Sequence, residues 1–208
     1  MRYSQWIGLL ALAALLLPGC AVRSRLRITG EGSLADTPPG PTAVLKVTAK
    51  PQTSSKSGKL LWGVYHTSNV EKAFAERLAR VAADQGGLSV VSPRQVRDRL
   101  KAAGLEPTLQ PDEETLRRCV DELGLKSYLT AYVHHSSLYY HFFWSWAKVR
   151  FEVVCLSAAD AHPLWRVEVR RQCPLKSDRE TMGLALREAL RYLGSGGDPP
   201  NATRRGAE

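Results

Sequence analysis

Three segments in the C-terminal half alternate apolar and polar residues, and this alternation restricts the fold more than any other feature of the chain. They are residues 128–138, 148–156 and 164–172. In the second segment the apolar positions include Val149, Phe151 and Val153. A repeat of two residues is typical of a strand that is buried on one face. We therefore predict an antiparallel meander with one open face.

The N-terminal half predicts shorter strands that alternate with amphipathic helices. Residues 43–49 and 88–91 have the pattern of strands. Helices are predicted by capping patterns and by apolar residues at helical spacing in four stretches, which begin near Val70, Gln95, Asp112 and Ser177. The predicted order is β-α-β-α-α-β-β-β-α, an α/β (α+β) domain with one mixed sheet over residues 43–193.

The N-terminus carries the one long uncharged apolar run of the chain, residues 7–17. As a helix this run spans only about 16 Å, too short for a hydrocarbon core of about 30 Å. It follows the positive charge of Arg2 and ends in small residues, which is typical of a secretory signal peptide. We assign the signal peptide to residues 1–19.

The signal peptide ends in Leu17-Pro18-Gly19-Cys20, which resembles the lipobox of bacterial lipoproteins. The resemblance implies that cleavage follows Gly19 and that Cys20 carries acyl groups such as palmitate. Several acyl chains would anchor the protein firmly, since each buried methylene contributes about 0.8 kcal/mol. By analogy with enterobacterial lipoproteins, Ala21 after the cysteine favours the outer membrane, with the domain facing the periplasm. An ordinary secreted protein with an incidental cysteine is the alternative.

The segments that flank the predicted domain lack a periodic apolar pattern. Residues 20–42 are predicted to be the lipid anchor and a flexible linker, and residues 194–208 a disordered tail. Arg23, Arg25 and Arg27 follow the anchor closely. They would rest either on anionic lipid headgroups or in solvent.

Three short motifs link the domain to a known group of proteins. Leu88-Ser89-Val90-Val91-Ser92 leads into a predicted helix, Leu123-Gly124-Leu125-Lys126-Ser127-Tyr128-Leu129 leads into a strand, and Leu164-Trp165 follows a turn. Residues 43–193 thereby resemble the domain shared by curli-secretion-channel lipoproteins, the TolB amino-terminal domain and penicillin-binding-protein activator lipoproteins. The resemblance implies an accessory role in envelope assembly, secretion or activation through protein contact. The chain lacks the long glycine-rich hairpins of the channel-forming branch, which argues against pore formation.

A cluster of aromatic residues lies between the first two long strands. Its members are Tyr139, Tyr140, Phe142, Phe143, Trp144 and Trp146. The strands must reverse direction here, and such connections are normally on the surface. Exposed together, these rings would contact a partner protein or a membrane interface. Alternatively, the strands continue through this stretch and the rings pack into the core.

The open face of the predicted sheet is the second candidate site in this chain of net charge +9. Its candidate ligand-binding residues are Tyr128, Tyr132, Arg150, Arg166 and Arg170. Tyrosines among arginines could bind nucleic acid by stacking and phosphate contact, but a signal peptide argues against that partner. An anionic glycan, a lipid headgroup or an acidic protein fits the compartment better. The alternative is charge pairing between strands, Glu152 with Arg166 or Arg150 with Glu168.

No sequence motif indicates catalysis, a cofactor or a metal. Ser, His and Asp occur without a nucleophile elbow. His134 and His135 are adjacent, so they would face opposite sides of a strand unless a bulge intervenes. Cys119, Cys155 and Cys173 would form either one disulfide and one free thiol or three buried thiols.

These observations predict a non-enzymatic envelope lipoprotein that is attached to the membrane through its N-terminal lipid. It would act as an accessory or assembly factor by protein–protein contact. The alternative is a transport-accessory lipoprotein that binds lipid, glycan or another anionic envelope ligand.

Overall fold

The computed structural model describes residues 24–51, 62–66, 69–141 and 144–196. The predicted signal peptide (residues 1–19), the lipidation site Cys20 and residues 197–208 of the predicted tail lie outside the described residues.

Seven strands and four helices make up the described chain. The strands are β1 (Arg25–Glu31), β2 (Pro41–Ala49), β3 (Trp62–His66), β4 (Ser89–Val90), β5 (Ser127–His141), β6 (Trp144–Ser157) and β7 (Pro163–Pro174). The helices are α1 (Val70–Asp84), α2 (Pro93–Ala102), α3 (Glu113–Leu123) and α4 (Asp178–Gly194). A single turn of 3-10 helix, Leu34–Asp36, follows β1.

All seven strands belong to one mixed sheet, which contains the five predicted strands and also β1 and β3. The strand order is β1-β7-β6-β5-β2-β4, and β3 pairs with the distal half of β5. The pairs of β2 with β4 and with β5 are parallel, whereas β5, β6 and β7 form the predicted antiparallel meander. The α+β fold class and the mixed sheet are therefore confirmed.

Helices cover most of one face of the sheet and a smaller part of the other face. Helices α1 and α4 pack on the first face, where Phe74, Phe151 and Leu186 are at most 1% exposed. Helices α2 and α3 cover the opposite face only near β2 and the start of β5, where Leu45 and Leu100 are buried. The remainder of that second face, over β5, β6, β7 and β1, carries the polar set of each strand.

The domain begins earlier than the sequence predicts. Residues 25–31, which we assigned to the flexible linker, form β1 and pair along β7 from Arg25–Gln172 to Glu31–Arg166. Further along, the Trp165 Nε1 atom donates a hydrogen bond to Thr37 Oγ1 at 2.8 Å. The linker prediction is therefore corrected from residue 25 onward. The strand was missed because it is a short edge strand with only two large apolar residues, and β7 supplies its hydrogen bonds.

Candidate functional site

The uncovered part of the second sheet face, which we call the open face, carries polar and aromatic side chains from four strands. Residues directly opposite one another in paired strands point to the same side of a sheet. The register therefore places Tyr132 of β5, Glu152 of β6 and Glu168 of β7 side by side on this face.

A bulge in β5 brings both adjacent histidines to the open face. The register shifts between Val133 and His135. The His134 ring contacts Tyr132 with ring centroids 4.6 Å apart, and His135 lies opposite Arg150. The exception that the sequence left open, a bulge that inserts one residue into the alternation, is therefore present between the two strands. Among the described residues, no group of three or more His, Cys, Asp or Glu side chains could hold a metal ion.

Two members of the aromatic cluster stack on the open face beyond the bulge. The rings of Tyr139 and Trp146 lie 5.3 Å apart between centroids and are inclined by only 6°. His135 lies on the same side, with its Nε2 atom 3.1 Å from the Tyr139 hydroxyl. The stack and this hydrogen bond fix the orientation of the aromatic side chains at the distal end of β5 and β6.

The distal end of β5 and β6 also exposes apolar groups on its other side. Tyr140 is 49% exposed and Leu175, directly after β7, is 67% exposed. Leu175 is joined to this end by a hydrogen bond from its N–H to the Ser145 carbonyl, at 2.8 Å. We call the set of Tyr139, Tyr140, Trp146 and Leu175 the hairpin end.

Sequence analysis left open whether the strands continue through the aromatic stretch, and for most residues of this stretch they do. Strand β5 extends to His141 and β6 begins at Trp144. Yet the continued strands leave Tyr140 at the surface rather than in the core. The predicted contact residues Phe142 and Phe143, together with the side chain of Trp144, lie outside the described residues.

Both predicted cross-strand ion pairs are present on the open face. Arg150 Nε lies 2.7 Å from Glu168 Oε1, and Arg166 Nε lies 2.8 Å from Glu152 Oε1. Each arginine is about half exposed, so each pair contributes at most about 1 kcal/mol to stability. The hydrogen bond from Arg166 to Glu152 and the charge of Glu152 raise the pKa of Arg166.

A third feature of the open face is a row of like charges across three strands. Arg27 of β1 lies directly opposite Arg170 of β7, which lies directly opposite Arg150 of β6. Like charges in this position destabilise a sheet. Sequence analysis missed the row because it assigned Arg27 to the linker. The alternation of Arg25, Arg27 and Thr29 around Leu26 and Ile28 was the pattern that could have revealed it.

One predicted sheet-face residue belongs to the core instead. Tyr128 is only 4% exposed and packs beneath α3 with Leu45, Val120 and Leu123. Burial raises the pKa of its hydroxyl. Helix α3 covers the face at this point, so Tyr128 contributes to the core and not to the open face. Tyr132, four residues further along β5, is 39% exposed.

The three cysteines of the domain are buried free thiols. Cys155 lies opposite Trp165 and not opposite Cys173. Burial raises the pKa of Cys155 to about 11. For Cys173 burial is the largest single effect and raises the pKa, but several lowering effects together outweigh it, among them the hydrogen bond and charge of Arg171, whose Nε atom lies 3.2 Å from the thiol, and the hydrogen bond with Ser24.

Within the part of the chain that the structure describes, no helix is long and apolar enough to cross a membrane. No protein-family model matches the sequence, and no curated protein shows significant sequence similarity to it.

Solved structures with a similar fold come from bacterial proteins. A PelC dodecamer from Paraburkholderia phytofirmans is 9% identical, covers 83% of this chain and 99% of its own, and gives a TM-score of 0.50. Lipoprotein GNA1162 from Neisseria meningitidis is 12% identical, covers 76% of this chain and 99% of its own, and also gives 0.50. The LpoB C-terminal domain from Escherichia coli is 13% identical, with coverage of 77% and 92% and a TM-score of 0.43. The domain thus has a fold that occurs in a bacterial lipoprotein.

Proposed function

We propose that this chain is a non-enzymatic lipoprotein of the bacterial cell envelope, anchored through Cys20 in the outer membrane and facing the periplasm. It acts as an accessory or assembly factor by contact with another envelope protein. The signal peptide and lipobox resemblance support the anchor. The likeness to lipoprotein GNA1162 supports this class of protein only at the level of the fold.

The observation that carries the contact function is the hairpin end. An exposed tyrosine, an exposed leucine and a stacked tyrosine–tryptophan pair lie at one end of three neighbouring strands. Aromatic residues are enriched in protein–protein contacts, where they form rigid anchors at low entropic cost. Stacking of Tyr139 on Trp146 holds both rings in place before a partner arrives, which reduces the ordering cost of binding.

The position of the hairpin end relative to the anchor adds to this proposal. Arg25, the first residue of β1, lies opposite Gln172, and Gln172 lies opposite Lys148 of β6. Trp146 is two residues from Lys148 towards the distal end of β6. The start of the domain and the hairpin end therefore lie at the same end of the sheet, so a lipid on Cys20 would hold the aromatic residues near the membrane.

Lipidation is tested by labelling cells with radioactive palmitate. The full-length chain should incorporate label and sediment with membranes, whereas Cys20→Ala should do neither. Label that remains in Cys20→Ala would contradict the assignment of the anchor.

Partner contact is tested by the size of complexes after solubilisation in mild detergent. The full-length protein should migrate in a complex larger than the chain alone, and Tyr140→Ser with Leu175→Ser should release it while the thermal transition stays unchanged. The matched control, Arg94→Ser with Arg118→Ser, alters two exposed residues on α2 and α3 and should leave the complex intact. A complex that survives the first pair and is lost with the second would overturn the proposal.

A further inference from the structure

The open face has one half that is strongly basic. This half, which we call the basic patch, comprises Arg25, Arg27, Lys148, Arg150 and Arg170. All four arginines are exposed and Lys148 is partly exposed. Among the described residues, Arg150 is the one member with an ion-pair partner, Glu168 at 2.7 Å. The patch therefore carries excess positive charge that the described part of the domain does not neutralise.

The arrangement of these charges works against folding. Arg27, Arg170 and Arg150 lie directly opposite one another in three neighbouring strands, which are spaced by about 4.8 Å. Opposed like charges in a sheet cost stability, and a feature that breaks a local rule in this way commonly marks a functional surface. A partner with several negative charges spread over a surface would relieve the repulsion.

The short length of chain between Cys20 and the domain favours the membrane as the partner of the basic patch. Arg25 is the fifth residue after Cys20, and a stretch of five extended residues spans at most about 18 Å. The chain is docked from Ser24 onward, with its Oγ atom 3.6 Å from Cys173 Sγ. A lipid on Cys20 would therefore hold the edge strand β1, and the basic patch beside it, within about two Debye lengths of the bilayer surface at physiological salt.

From these observations we propose that the basic patch of the open face docks on the anionic headgroups of the membrane in which the protein is anchored. The inference rests on the proposed function only for the position of the anchor. Docking adds a second attachment to the acyl chains, since each Lys or Arg near an anionic surface contributes to binding. It also orients the domain, with the open face and its Tyr139–Trp146 stack towards the bilayer and Tyr140 on the opposite side of the sheet.

The test measures binding of the chain from residue 21 to vesicles, without any lipid on the protein. This chain retains every described residue, so failure of lipidation in cells does not affect the result. We expect co-sedimentation with vesicles of phosphatidylcholine and phosphatidylglycerol, no co-sedimentation with phosphatidylcholine alone, and binding that weakens steeply as salt increases. Equal binding to both kinds of vesicle, or none to either, would overturn the proposal.

Two pairs of variants identify the surface. Arg27→Gln with Arg170→Gln should weaken vesicle binding roughly thirtyfold, on the basis of the usual contribution of two basic residues. Arg97→Gln with Arg118→Gln removes the same charge from exposed positions on α2 and α3 and should have less than a threefold effect. Equal losses in the two pairs would show that net charge rather than the basic patch is responsible, and would overturn the proposal.

Two further measurements distinguish docking on a charged membrane surface from binding of a specific anion. Arg27→Lys with Arg170→Lys keeps the charge and should bind as the parent chain does, because headgroup attraction does not need the planar guanidinium group. Inorganic phosphate at the concentration of the lipid phosphate should not release the protein. Loss of binding in the lysine pair, or release by phosphate, would point to a discrete anion site and would contradict docking on a membrane.

Discussion

Arg171 distinguishes Cys173 from the other two buried thiols. Burial raises the pKa of all three thiols, that of Cys155 to about 11, but at Cys173 the hydrogen bond and charge of Arg171, together with the hydrogen bond of Ser24, contribute to a pKa that is lowered overall. The thiolate is the reactive form of cysteine, so the three thiols should differ in reactivity.

We predict that an alkylating reagent modifies Cys173 first in the folded protein. The rate should increase at a lower pH for Cys173 than for Cys119, and Cys155 should react last. Mass spectrometry of peptides after timed alkylation between about pH 7 and pH 9 measures the order. Replacement of Arg171 by Met should remove the advantage of Cys173, and a faster reaction of Cys155 in the parent protein would contradict the pKa assignment.

Thr37 accepts the only hydrogen bond observed for the indole of Trp165 within the described residues, and Trp165 is 1% exposed. Thr37→Val should lower the free energy of unfolding by about 1–3 kcal/mol, because a buried donor is left without its acceptor. Urea denaturation measures this change. In a Trp165→Phe background, Thr37→Val should lower the free energy of unfolding by clearly less. An equal decrease in both backgrounds would contradict the role of the hydrogen bond.

At the scale of single residues, the sequence predicted the partners of charged side chains better than the positions of the aromatic ones. Both ion pairs follow from strand alternation alone, since Glu152, Arg150, Arg166 and Glu168 have the same parity in neighbouring strands. Tyr128 has the parity of Tyr132, yet α3 covers it. Which part of a sheet face a helix covers is a tertiary property that alternation does not contain.

Helix α4 begins with the capping box that the sequence predicts. Glu180 N–H donates to Ser177 Oγ at 3.1 Å, and Ser177 N–H donates to Glu180 Oε2 at 3.1 Å. The backbone hydrogen bond from Ser177, followed by that from its side chain, lowers the pKa of Glu180. A carboxyl group with a lowered pKa in the folded state stabilises the protein above its ordinary pKa, and this stabilisation is lost as pH falls through the lowered value.

Two substitutions at this box should therefore behave differently. Ser177→Ala should reduce the free energy of unfolding by about 1 kcal/mol at neutral pH. Glu180→Gln keeps a hydrogen-bond acceptor without a titrating group, so its stability should decline less than that of the parent between about pH 5 and pH 3. Thermal unfolding followed by circular dichroism checks both. If the stability of Glu180→Gln fell as steeply with decreasing pH as that of the parent, the link between the capping box and stability at acidic pH would be contradicted.

Strand β1 depends on close contact with β7 at Gly30. A Cβ atom added to Gly30 would lie 2.7 Å from the Arg166 carbonyl oxygen and 3.2 Å from Tyr192 Cε1. Gly30→Val should therefore displace β1, lower the melting temperature by several degrees and expose the β7 edge to protease. Thr29→Val is the matched control, because Thr29 points to the open face. Equal melting temperatures of the two variants would contradict the docking of β1.

Elements with a strong pattern in their own sequence were predicted, whereas elements that depend on a neighbouring strand were not. The alternation of β5, β6 and β7 and the caps of α2 and α4 are local properties of the sequence. Strand β1 has few apolar residues and exists because β7 offers a free edge. The bulge at His134 is a property of the paired strands, so a single strand's alternation could not place it.

At the scale of the whole molecule, β1 changes the geometry of the proposed anchor. The sequence predicts a linker of more than twenty residues, which would let the domain move far from the membrane. With β1 in the sheet, only four residues lie between Cys20 and Arg25. A short tether keeps the hairpin end and the basic patch near the bilayer, so the protein would reach partners at or in the membrane rather than distant ones.

The central claim is that a membrane-anchored domain contacts another envelope protein through the hairpin end. Its most direct test is photo-crosslinking in living cells from position 140, with position 94 on α2 as the control site. The account predicts a discrete protein adduct at position 140 that is absent at position 94 and is lost in Cys20→Ala. Adducts to lipid alone, equal adducts at both positions, or an adduct that persists without Cys20 would contradict it.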